Sequence, residues 1–241
     1  MYKKTLRPAI AMIELIFAIV IIGIVLMTAP MLIRTSAQSG YVTIQQENIN
    51  QAASRVSMIM GYPWDEGNVE NSTFNTILRT DSPVPDLNET NRTVNITIVE
   101  GYRVGTPIES LRNFKAPGNT RVSASSTLGI EAGGIKDDID DFIGGSTLFF
   151  TGETSTSDYV EDNTTISINT LISYSTDTVA SGYNQASITY NPFTASGGTT
   201  NIKEIKVTLI STSGLDELDK TIILRAFSCN IGGYKLEEKD F

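Results

Sequence analysis

Apolar side chains are spread unevenly along the chain. Residues 10–33 are almost continuously apolar, broken only by Glu14, Gly23, Thr28 and Pro30. A run of that length predicts a helix able to cross a bilayer core, which takes about 20 residues. Beyond Arg34 polarity rises, but Val42, Ile49, Ala53, Val56 and Met60 recur at helical spacing and predict an amphipathic continuation. Gly61 and Pro63 close it, so a single helix is expected over residues 10–61. From residue 62 the period changes to two. Strands are expected over 93–99, 146–151, 165–175, 203–211 and 220–227, the last two forming a hairpin-like pair around Gly214. Gly-Gly pairs at 133–134, 144–145, 197–198 and 232–233 mark expected loops. One long helix packed on an antiparallel sheet is an α+β architecture. The expected organisation is a leader over 1–9, a transmembrane stretch over 10–33, its amphipathic continuation over 34–61 and a β-rich head over 62–241.

Charge sharpens this division. The 241 residues carry a net charge of -9, yet Lys3, Lys4 and Arg7 precede the apolar run with no acid among them. The positive-inside bias places that short segment in the cytoplasm and the head across the membrane. A cleavable secretory signal fits less well, because its apolar region spans only about 7–15 residues and ends in a small-residue site. The acidic head repels phosphate backbones, so no direct nucleic-acid partner is expected. Cys229 is the lone cysteine and reads as a small buried hydrophobe. Histidine is absent, which removes Ser-His-Asp, His-zinc and Cys-His chemistry, and no phosphate-cradling glycine motif occurs. No enzymatic activity is expected.

Glu14 calls for a reason. A carboxylate within a membrane helix is costly and usually has both a partner and a function. Its setting, Arg7-Pro8-Ala9-Ile10-Ala11-Met12-Ile13-Glu14-Leu15, resembles the leader and mature N-terminus of type IV pilins and type II secretion pseudopilins. The resemblance implies that prepilin peptidase cuts between Ala9 and Ile10, that Ile10 becomes N-methylated, and that Glu14 stands fifth in the mature chain. It further implies that Glu14 sets subunit registry by pairing with a neighbour's amino terminus in a helical filament. Pro30 then falls where the family commonly carries a helix-kinking proline. Ala9 stands where glycine is commoner, Ile10 where phenylalanine or methionine is, and Pro8 lies just before the cut. The implied partners are other pilins or pseudopilins, prepilin peptidase and an inner-membrane assembly platform. The implied location is the inner membrane with the head in the periplasm, then the filament.

Two head segments narrow the resemblance to a minor subunit. Tyr62-Pro63-Trp64-Asp65-Glu66 follows the helix, and Asp137-Asp138-Ile139-Asp140-Asp141-Phe142 is similar to an acidic segment in minor pilins of the mannose-sensitive haemagglutinin pilus group. Such a subunit initiates, caps or tunes a pilus or pseudopilus. An adhesive head and a lone signal-anchored periplasmic protein are the alternatives. Asp137, Asp138, Asp140 and Asp141 offer calcium several oxygens, and related pseudopilins sometimes bind it. The spacing is not that of a known calcium loop, and a solvated turn or helix start is the ordinary reading. Asn88, Asn91 and Asn163 begin N-x-S/T sequons with an acid two residues earlier, the extended pattern of a bacterial periplasmic glycosylation acceptor; Asn71 and Asn95 begin plain ones. Glycans at the three extended sites would require exposed loops.

Overall fold

Helix α1 spans Pro8–Ile59 in the computed structural model, which describes residues 8–69, 76–107, 110, 112–131, 133–150, 164–212 and 219–233. Nothing interrupts its backbone pattern. Pro30 cannot donate a hydrogen bond, yet the helix assignment continues through it. Thr28 and Thr35 bend their hydroxyls back onto carbonyls of the preceding turn, at Ile24 (3.1 Å) and Met31 (2.9 Å). Those bonds satisfy hydroxyls that the surrounding apolar side chains cannot. The helix ends at Ile59 rather than at 61. Gly61 and Tyr62 wind more tightly, their amides reaching Met58 and Ile59 at 3.1 Å each, before Pro63 stops the pattern.

The chain divides into two compact units, one ending at Glu47 and one beginning at Asn48. The second therefore takes in the last turns of α1. There the buried face is Asn48, Ala52 and Ile59, with Val56 partly covered. The expected stripe is turned by one residue: Ile49 and Met60 remain exposed. Both faces share the same spacing, and the deciding position is Asn48, a buried polar residue that a hydrophobic pattern cannot choose over its isoleucine neighbour.

A four-stranded antiparallel sheet receives those turns. It comprises β3 (Gly144–Phe150), β4 (Thr164–Ser175), β5 (Ile202–Thr212) and β6 (Lys220–Cys229), in the spatial order of the chain. A preceding hairpin pairs β1 (Thr90–Val94) with β2 (Thr97–Tyr102). The four later strands match the expected ones closely. The expected strand over 93–99 is instead two strands folded back at Asn95 and Ile96, whose φ values of 46° and 64° make a tight two-residue turn. Gly144 and Gly145, expected in a loop, are strand residues paired with Thr170 and Asn169.

The core lies between the sheet and α1. Ile205, Val207 and Leu209 alternate inward along β5 and meet Ile166, Ile168 and Ile172 of β4, Ala52 and Ile59 of α1, and Trp64. Each such aliphatic side chain contributes about 1.5–3 kcal/mol by leaving water. Cys229 ends β6 opposite Ile202, half-buried, and burial pushes its thiol above the ordinary range. The small-hydrophobe reading of this cysteine fits that position.

Candidate functional site

Two groups of residues are set in surroundings that ordinary folding does not explain, one in each unit. In the first, every large apolar side chain over residues 12–33 is exposed, up to 83% at Met27. Such a helix has satisfied its own backbone and still presents an apolar surface on all sides. Among the described residues it is the helix long and apolar enough to cross a membrane. Glu14 sits on that surface, and no described cation pairs with it. Ala9, Ile10 and Pro30 all lie in α1, with Ile10 one turn before Glu14.

The second group is in the head. Trp64, Asp65 and Glu66 turn the chain out of α1 into the short helix α2 (Glu66–Val69). Asp65 caps it, one carboxylate oxygen accepting the Gly67 amide at 3.1 Å. The same carboxylate accepts the Ser125 amide, and its Oδ2 meets Lys203 Nζ at 2.9 Å. Lys203 projects from β5 with no exposed surface. Its ammonium donates to Trp64 O (2.9 Å), to Asp65 and to Asp140 Oδ1, so all three protons are used. The Trp64 and Tyr174 rings flank it, with centroids 4.6 and 5.5 Å away. Tyr174 Oη donates to Ser125 O at 2.5 Å, and burial beside Asp65 drives its phenol upward in pKa.

The acidic segment folds around its own carboxylates. Asp138 Oδ1 accepts the amides of Asp140 (2.9 Å) and Asp141 (3.2 Å), while Asp141 Oδ2 accepts those of Asp137 and Asp138. The Ile139 amide reaches Pro63 O at 3.0 Å, tying the segment to the end of α1. Asp138, Asp140 and Asp141 are buried, so the segment is not the solvated turn expected from the sequence, whereas the alternative of a helix start holds in the single 3-10 turn Asp140–Phe142. They stay inside because backbone amides and Lys203 compensate their charge. Burial and the neighbouring Asp140 carboxylate push Asp138 up to about 7, against the opposing pull of Lys203.

The four aspartates do not converge on one point as a calcium site would require. Both Asp140 oxygens are committed, to Lys203 and to the Gly129 amide. The carboxylates that do approach one another are Glu66, Glu131 and Asp138, one oxygen of each lying within 4.8 Å of the others. Sequence reading missed Lys203, Glu66 and Glu131. The available signal for Lys203 was a charge embedded in an otherwise apolar strand, Ile202-Lys203-Glu204-Ile205.

The sequons separate. Asn88 is half-buried and its amide nitrogen donates to Ser82 O at 3.2 Å; Asn91 is exposed but inside β1. Neither occupies the exposed loop that glycan attachment was expected to need. Asn95 does stand exposed at a hairpin tip, without the upstream acid. Asn71 and Asn163 lie outside the described residues.

Comparison of the chain with protein-family models, with curated proteins and with solved structures returns no match, so the chemistry of these two groups is what a functional reading must account for.

Proposed function

We propose that this chain is a minor pilin or pseudopilin, a non-catalytic subunit that initiates, caps or tunes a type IV pilus or a type II secretion pseudopilus. The observation that carries the reading is Glu14, an ionisable side chain on a helix whose surroundings are otherwise apolar and exposed. Water is a poor solvent for that surface, so α1 requires lipid first and like helices afterwards. Prepilin peptidase frees Ile10 by cutting after Ala9. The new ammonium of Ile10 then lies within reach of the Glu14 carboxylate of an adjacent subunit. In a low-dielectric helix bundle the pair offsets two desolvation costs, and a subunit out of register leaves both charges unpaired. Register is thereby fixed axially. The head, with its own closed core, remains outside the bundle and presents its surface to whatever the filament meets.

The test is substitution of Glu14 by Val in cells expressing the filament partners. Membrane insertion should persist, because the change makes α1 more apolar, while recovery of the protein in sheared filaments should fall to background. Incorporation of Glu14→Val at the wild-type level would remove the registry role. An intact leader and tolerance of the substitution together would identify a lone signal-anchored protein.

A further inference from the structure

We propose that Glu66, Glu131 and Asp138, with Asp141 beside them, form a binding site for a hard divalent cation of the calcium class on the head. Three separate elements supply the ligands: α2, the turn near Gly133, and the acidic segment before β3. Their oxygens lie within 4.8 Å of one another, which is no wider than two calcium–oxygen bonds of about 2.4 Å placed end to end.

The stronger argument is an oxygen left over. Asp138 is fully buried, and while Oδ1 accepts two backbone amides, Oδ2 has no hydrogen-bond partner. The same holds for Asp141, whose Oδ2 is engaged and whose Oδ1 is not. Buried carboxylate oxygens are normally satisfied, and an orphan costs about 1–3 kcal/mol or more when charged. Lys203 cannot serve them, since its three protons are already assigned. A cation held by the three carboxylates would compensate the buried Asp138 and the acid beside it. All-oxygen, carboxylate-rich coordination selects calcium or a similar hard ion over zinc or copper.

This site is distinct from the four-aspartate set suggested by the sequence. Asp140 belongs to Lys203, and two glutamates from other elements replace it. The inference stands on the head alone and survives failure of the filament reading.

Terbium(III), an oxygen-seeking stand-in for calcium, provides the test on the full-length chain in detergent. Trp64, the single tryptophan, lies two residues from Glu66 and can sensitise terbium emission. We expect saturable emission at one ion per chain, displaced by calcium. Affinity should fall at least about tenfold in Glu131→Gln and in Asp138→Asn. Glu131 is far less buried than Asp138, so its variant should fold normally, with near-ultraviolet dichroism as the check. It decides the matter if Asp138→Asn does not fold. Absence of saturable emission from folded protein would overturn the proposal. So would emission that Glu131→Gln leaves unchanged, which would place the ion elsewhere.

Discussion

Leu26 and Leu209 are the same residue in opposite circumstances. The first is 69% exposed on α1, and the second is wholly buried under the sheet on β5. The contrast extends to charge. In the head, Lys203 finds Asp65 and Asp140 within the chain, while in the helix Glu14 has no described cationic partner. One unit covers its core leucine and pairs its buried lysine internally, whereas the other leaves its apolar surface and its carboxylate without such contacts among the described residues. A chain built this way has a head that packs its own apolar core and a helix long and apolar enough to cross a membrane.

The largest effect expected from breaking this contrast is at Lys203. Lys203→Met should cost about 3–5 kcal/mol, because Asp65 and Asp140 would remain buried without their cation. Urea unfolding followed by Trp64 fluorescence measures it. Combining Lys203→Met with Asp65→Asn and Asp140→Asn should recover part of the loss, since neither direct partner of Lys203 is then left charged. Full loss in the triple variant would show that geometry, rather than charge, holds the joint.

Next in size are the two leucines. Leu209→Ala should destabilise the head by about 2–5 kcal/mol through lost burial and the cavity left behind. Leu26→Ala should leave head unfolding unchanged within about 0.5 kcal/mol. Equal costs for the two would mean that the helix surface is buried by the chain itself.

The smallest effect belongs to Glu89. Hydrogen bonds from Arg121 and, less strongly, Arg79 hold its carboxyl below the ordinary range, against some desolvation. A carboxyl with a lowered folded pKa contributes stability that is present above its unfolded value, about 4.3, and lost as pH falls through the folded value. Glu89→Gln should therefore cost about 0.5 kcal/mol at neutral pH once solvent screening is allowed for, and nothing near pH 2. Thermal melts at the two pH values check it, and a pH-independent cost would assign the effect to packing.

Legibility in the sequence follows the range of the interactions concerned. Helix α1 and strands β3 to β6 were readable because their patterns are local and regular. The hairpin of β1 and β2 was not, because Val94, Ile96 and Ile98 keep the strand alternation straight through the turn. Asn95 tolerates a positive φ, but an isoleucine in that conformation, 99% exposed, has no sequence signature. The acidic segment was visible by composition, but its burial was not. That burial depends on a lysine 63 residues further along the chain from Asp140. Lys203 itself looked like an ordinary strand charge, since a sequence does not show that β5 is covered on both faces near its start. Asn48 hid the buried face of α1 for a similar reason.

The central claim concerns what frees and pairs the start of α1, and intact-mass and N-terminal mass spectrometry address it directly. The chain would be co-expressed with and without prepilin peptidase and its first residue read in each sample. The account predicts peptidase-dependent loss of residues 1–9 and a methylated Ile10. A leader retained in both samples would contradict it, leaving a membrane-anchored head and no role for Glu14.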